Sequence, residues 1–349
     1  MEHYLEQLNL TEMMAELDSF FPEFSWNLSD LFEQILAGNW KEAFEMAGQW
    51  VWGSFLAEVS GMKGVMASIL ILGVLSVLIS SFMTSFENHQ IAEIAHYIFY
   101  LLLLAVLLKV FFRSYRTAAK TMELMTQFAR LVLPALCLSL GPAAGTMTAA
   151  GYYELALVLI FLVESFLLHL CLPLMPAFML LLLMNGVWEE GKLTPLMELL
   201  EKGLGAAAKF AMAAVCGLGF LQSMVAPALD SLKRSSAQKI ISAIPALGGL
   251  AEGTTQLLIG SAVLVKNSLG LFVLLLLVLL VAVPFTELFL YGILLKVSGA
   301  LIGVVADKRM TACIIRTADA VFLLLRLAAS GAACFFILAA IVSCLVGRG

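Results

Sequence analysis

Five ionisable side chains interrupt long apolar runs and are the residues whose types could do chemistry there: Glu164, His169, Lys209, Glu287 and Arg326. A charge near the centre of a bilayer costs about 2.5–3.5 kcal/mol, so each needs a partner or a task. Glu164 with Lys209, and Glu287 with Arg326, read as two interhelical ion pairs. They could form a polar path or coupling site for an ion or solute. The plainer reading is structural pairing, or snorkelling of charges near helix ends. His169 stands five residues from Glu164, off its face on an α-helix, so no local acid–base dyad is expected.

Other chemistry is sparse. Gly186 through Lys192 fits the first seven positions of a phosphate-binding loop, but Leu193 stands where a Ser or Thr must hold magnesium. Glu189 and Glu190 would repel phosphate there. The sequence has no HExxH, no GxSxG and no paired carboxylates in a polar setting. Catalytic residues, cofactors and metal sites are therefore all expected to be absent. Cys137, Cys171, Cys216, Cys313, Cys334 and Cys344 show no CxxC spacing and read as small apolar fillers.

The elements that must carry these residues follow from composition. The chain has 349 residues, 62% hydrophobic and 13% charged, with a mean hydropathy of +0.99. Such a chain cannot cover its surface with polar groups, so much of its solvent is the bilayer. Disordered, coiled-coil and disulfide-scaffold classes are excluded. The expected fold class is all-α, a polytopic membrane protein with about seven transmembrane helices. The candidate spans are 64–84, 94–112, 128–150, 155–184, 204–226, 268–294 and 319–346. The fourth is too long for one straight crossing and holds Pro173 and Pro176, which predict a kink or break. The less apolar 240–265 is expected to lie on the surface or re-enter the membrane. Small residues four apart, Gly141/Gly145 and Gly299/Gly303, allow close helix approach.

Charge is unevenly held. Residues 1–63 carry a net −9 and the remainder +4, so an acidic head precedes a mildly basic body. Leu5, Leu8, Met13 and Leu17 recur at helical spacing, and Asp30 with Glu33 reads as a capping box. Trp40, Trp50 and Trp52 precede the first apolar run, as aromatics do at a membrane interface. The head lacks a basic segment followed by an apolar one, so no secretory leader is expected in this numbering. Neither half concentrates bases among aromatics, so nucleic acid is not an expected partner. Loops holding Arg113, Arg116 and Lys120, and Lys308, Arg309 and Arg316, are expected inside, which favours an inside N-terminus. Lys233, Arg234 and Lys239 then fall outside, against the same rule. An offset of 111 residues lays Pro134 on Pro245, Phe161 on Phe272 and Pro173 on Pro284, a faint internal duplication of the kind transport folds use. The expected units are a head (1–63), two spans with a basic connection (64–127), and two repeats (128–239 and 240–349).

Ile241 to Gly249, containing Pro245, Gly248 and Gly249, and then Ser261 to Gly270, containing Lys266 and Asn267, resemble the signature region of the stage III sporulation protein AE family. The resemblance extends over nearly the whole chain, including Leu5 to Leu10, Tyr291 to Lys296 and Asp307 to Arg309. It implies a multi-pass protein of the mother-cell membrane around the forespore. It also implies work with other stage III membrane subunits, ring-forming proteins between the membranes and a cytoplasmic ATPase, in a channel or secretion-like complex required for spore development. Family members often have a cleaved leader, which would place the head outside. The rival reading is a secondary transporter or permease-like protein that moves a small solute or ion.

Overall fold

The computed structural model describes residues 39–85, 89–144, 157–187, 193–241, 248–304 and 308–344, with a few single positions elsewhere. Over most of 79–96, and over 133–144, 218–269 and most of 338–344, it is the backbone course that is described. The described residues form helices and turns, with no strand among them.

Helix α1 spans Trp40–Ser85 and α2 spans His89–Ala144. A rod beginning at 157 passes through a π-helical segment, Glu164–Cys171, into α3, Leu172–Val187. Then come α4, Thr194–Ile241, α5, Gly248–Ile302, and α6, Lys308–Cys344. Five of the described helices are long and apolar enough to cross a membrane: Lys41–Leu78, Tyr97–Val132, Leu157–Asn185, Gly270–Ile302 and Lys308–Ile337. The polytopic helical class holds.

The connections differ from those expected. Candidate 94–112 and the described part of 128–150, residues 128–144, belong to one 56-residue helix, α2, about 84 Å long. The basic stretch expected as their loop is helical throughout. No Gly or Pro occurs between His89 and Leu133, so nothing local stops the helix. Likewise α5 runs unbroken from Gly248 through the stretch expected to lie on the surface or re-enter. Helix α1 crosses the drawn boundary at residue 63, so the late head and the first span are one element. Lys308 and Arg309 open α6 instead of lying in a loop.

The oversized fourth candidate is accommodated differently from a break. Pro173 and Pro176 cannot donate to the preceding turn. Just ahead of them the helix widens, and the Leu172 N–H donates to the Leu167 carbonyl, five residues back. The wider turn makes room for the proline rings, and the rod continues.

Helix α6 sits centrally, packed on α5, α2, α4 and α3, while α1 leans on α2 and α5. Buried Ile314, Val321 and Leu324 of α6 meet a core that includes Phe272, Leu288 and Leu295 of α5 and Leu107, Phe111 and Phe128 of α2. Leu17, Leu31 and Ile35 of the head join that core. The α5–α6 contact is close because glycines face it. A methyl at Gly292 would lie 2.7 Å from the Phe322 ring edge, one at Gly299 2.9 Å from Ile315, and one at Gly303 2.9 Å from Thr311. Where lipid is as apolar as leucine, such fit supplies the attraction between helices. Gly141 and Gly145 fall outside the residues whose packing is described. Hydroxyls in the spans turn back on their own helices, as Thr126 does to the Met122 carbonyl at 3.0 Å and Thr317 to Cys313 at 2.8 Å.

Candidate functional site

Both acidic residues singled out in the sequence are paired, and both partners come from α2. The Arg113 Nε donates to Glu287 Oε1 at 2.9 Å, and Thr117 Oγ1 donates to Glu287 Oε2 at 3.1 Å. The same guanidinium reaches Glu58 of α1 at 3.5 Å and lies over the Tyr291 ring, 5.4 Å from its centroid. The Glu287 side chain is 12% exposed, so its two donors replace most of the water that a carboxylate needs. Helices α1, α2 and α5 are thus joined at one polar node.

A second pair lies farther along α2, where Arg130 binds Glu164 at the start of the π-helical segment. His169 Nδ1 lies 3.2 Å from the Glu164 carbonyl oxygen. The imidazole meets the backbone here and not the carboxylate. A third pair ties α5 to α6, Lys296 to Asp319 at 3.2 Å, with the Lys296 ammonium 5.3 Å from the Phe322 ring centroid.

These pairings correct the ones drawn from sequence. Glu164 takes Arg130 and not Lys209; Glu287 takes Arg113 and not Arg326. Lys209 and Arg326 are exposed, and neither forms an ion pair among the described residues. Helix α4 does approach the π-helical segment, through the Phe210 ring tilted against Phe166 with centroids 5.8 Å apart, yet Lys209 forms no ion pair with it. Arg113, Thr117, Arg130 and Glu58 are the residues that sequence reasoning missed as partners. Their signal was there: read as one helix, α2 places its bases at helical spacing along one face.

Of the family-like segments, Pro245 lies outside the described residues. Gly248 and Gly249 open α5, and Ser261, Lys266 and Asn267 lie along its backbone. Tyr291 and Lys296, the ends of another such segment, each make a cation–π contact, one at the Arg113 node and one at Phe322. At the near-miss phosphate loop, the Leu193 N–H donates to Asn185 Oδ1 at 3.1 Å, and Asn185 Nδ2 donates to Thr194 Oγ1 at 3.1 Å. An amide that could have faced phosphate is committed to fastening α3 to α4. Cys171, Cys313 and Cys334 are buried free thiols and Cys216 is an exposed one. Among the described residues no three metal-ligating side chains gather.

Long apolar helices, glycine-lined contacts and paired intramembrane charges define a polytopic helical membrane protein. The family model described as stage III sporulation protein AE matches residues 26–346, and the chain belongs to that family, a sporulation family. It is similar to stage III sporulation protein AE of Bacillus subtilis (strain 168), 22% identical over 259 residues, which are 74% of this chain and 65% of that protein. The aligned part thus spans just under two thirds of that relative's length. No solved structure matches.

Proposed function

We propose that the chain is a non-enzymatic integral-membrane subunit of the channel or secretion-like complex between mother cell and forespore, seated in the mother-cell membrane. The observation that carries this reading is the family match across residues 26–346 together with a bundle of spanning-length helices. Partners of the chemistry expected above, other stage III membrane subunits, ring-forming proteins between the membranes and a cytoplasmic ATPase, belong to the same proposal. The carboxylates best placed for acid–base work, Glu164 and Glu287, are engaged by guanidinium groups, which supports a structural use. Co-purification with other stage III membrane proteins from sporulating cells tests it. A chain recovered alone, and dispensable for forespore development, overturns it.

A second reading, movement of a small solute or ion by this chain itself, draws on the π-helical segment that starts at Glu164 within a spanning rod. Such segments favour functional positions. Vesicles holding the purified protein should then show flux that falls in Glu164→Gln. Unchanged flux counts against it.

A further inference from the structure

One guanidinium serves two carboxylates where α1, α2 and α5 meet. The Arg113 Nε donates to Glu287 Oε1 of α5 at 2.9 Å, while Nη2 reaches Glu58 Oε2 of α1 at 3.5 Å. Neither acid shares a helix with its cation, so a shift of α1 against α5 alters which one Arg113 meets best. Tyr291 lies under the guanidinium, and a ring face holds a cation without fixing which carboxylate it meets. The Arg113 side chain is 55% exposed and that of Glu287 12%. The cation has room to swing; the acid does not.

Glu287 can be satisfied with or without that cation. Thr117 Oγ1 donates to Glu287 Oε2 at 3.1 Å, and a hydroxyl that donates to a carboxylate can accept from a carboxylic acid. Its own proton can then turn to the Arg113 carbonyl four residues back, as Thr121 turns to the Thr117 carbonyl at 2.7 Å. Without Arg113, a carboxylate this buried loses most of its solvation, and a proton is the cheapest way to neutralise it. Helix α5 is loosened just before the acid. Pro284 cannot donate to the Leu280 carbonyl, and Thr286 Oγ1 bonds the Ala282 carbonyl at 2.7 Å, a contact that favours bending. The other charged groups near this level are Arg116 and Lys120 of α2 and Arg326 of α6, one turn from the Phe322 that meets Phe289. All three are exposed, and none forms an ion pair with Glu287 among the described residues.

We propose that Arg113 is a counter-ion shared between Glu287 and Glu58, and that Glu287 takes up one proton when the guanidinium passes to Glu58. The proton adds to the Glu287 carboxylate and is donated to Thr117 Oγ1; it leaves when Arg113 returns. Charge at Glu287 is balanced in both states, first by the guanidinium and then by the proton. Water at the half-exposed Arg113 side chain supplies and accepts it. The node is thus a proton-binding site whose occupancy is tied to the position of α1 against α5. This goes beyond the subunit reading and does not rest on it, since the exchange belongs to the chain alone.

The test uses the full chain in native-lipid membranes and dicyclohexylcarbodiimide, an apolar reagent that adds to a carboxylic acid and spares a carboxylate. Adducts on the peptide holding Glu287 are measured by mass spectrometry. Labelling of Glu287 should rise at least about five-fold from about pH 8 to about pH 6. Glu58→Gln leaves the guanidinium to Glu287 and should lower that labelling by about three-fold or more. Glu58→Asp keeps the charge, shortens its reach and should fall between. The passage of Arg113 is read by thermal unfolding in a second background, Glu287→Gln, which stands for the protonated acid. There Glu58→Gln should shift the midpoint at least about twice as far as it does in the unsubstituted chain. A Glu287 that stays unlabelled across the range overturns the proton. Equal or greater labelling in Glu58→Gln overturns the sharing, and equal midpoint shifts in the two backgrounds overturn the passage.

Discussion

Arg113 and Glu287 are 174 positions apart in the chain and meet at 2.9 Å, with Thr117 holding the second carboxylate oxygen. That contact sets the register of α2 against α5, since Tyr291 one turn on also packs under the guanidinium. Removing the carboxylate should hurt more than removing the second acid, Glu58. Glu287→Leu is expected to lower stability by about 1–2 kcal/mol by removing the acceptor of both Arg113 and Thr117. Glu58→Gln should cost under about 1 kcal/mol, as a longer and more exposed contact does. Thermal unfolding in lipid-supplemented detergent measures both.

The Arg130–Glu164 pair predicts a charge-swap rescue. Arg130→Glu alone should cost about 2–4 kcal/mol by setting two carboxylates together, and adding Glu164→Arg should restore most of it. Lys209→Gln should change stability by less than about 0.5 kcal/mol. A large effect at Lys209 with none at Arg130 would return the pairing to the one drawn from sequence. Double-mutant cycles on thermal unfolding give the answer.

A glycine of the α5–α6 contact and a glycine of α4 predict opposite responses to the same change. Gly292→Ala presses a methyl against the Phe322 ring and should cost about 1–3 kcal/mol. Gly203→Ala, with nothing within 4 Å, should be neutral or stabilise its helix by up to about 1 kcal/mol. Unfolding midpoints of the two variants should move apart.

Asn185 predicts a local effect. Asn185→Ala removes two hydrogen bonds across the α3–α4 turn and should cost about 1–2 kcal/mol. Amide exchange at Leu193 should speed up while the α5–α6 amides stay protected. Uniform loss of protection would assign Asn185 a global role.

Much of the class was legible in the sequence, because composition alone set the solvent. Glu164 and Glu287 were also legible as charges in need of partners. Their partners were not, for one reason. The bases at 113–120 lower the hydropathy of any window that includes them, so a span search ends there and reports a loop. Hydropathy measures where a helix lies, whereas Gly and Pro measure where it stops, and none stands between His89 and Leu133. The same confusion divided α5 at its polar beginning. At Glu164 the π-helical turn brings His169 to the carbonyl five residues back and not to the carboxylate. The drawn pairs failed because pairing depends on packing angles that residue spacing along one helix does not encode.

Helix α2 bears both guanidinium partners on a single rigid rod, about 25 Å apart along its axis. A rotation or slide of that rod which frees Glu287 also drags Arg130 away from Glu164. The two acids are therefore not released independently, and their pairing energies add in any displacement of α2. A ligand or partner that slides α2 along its axis at one end is therefore expected to disturb the pair at the other.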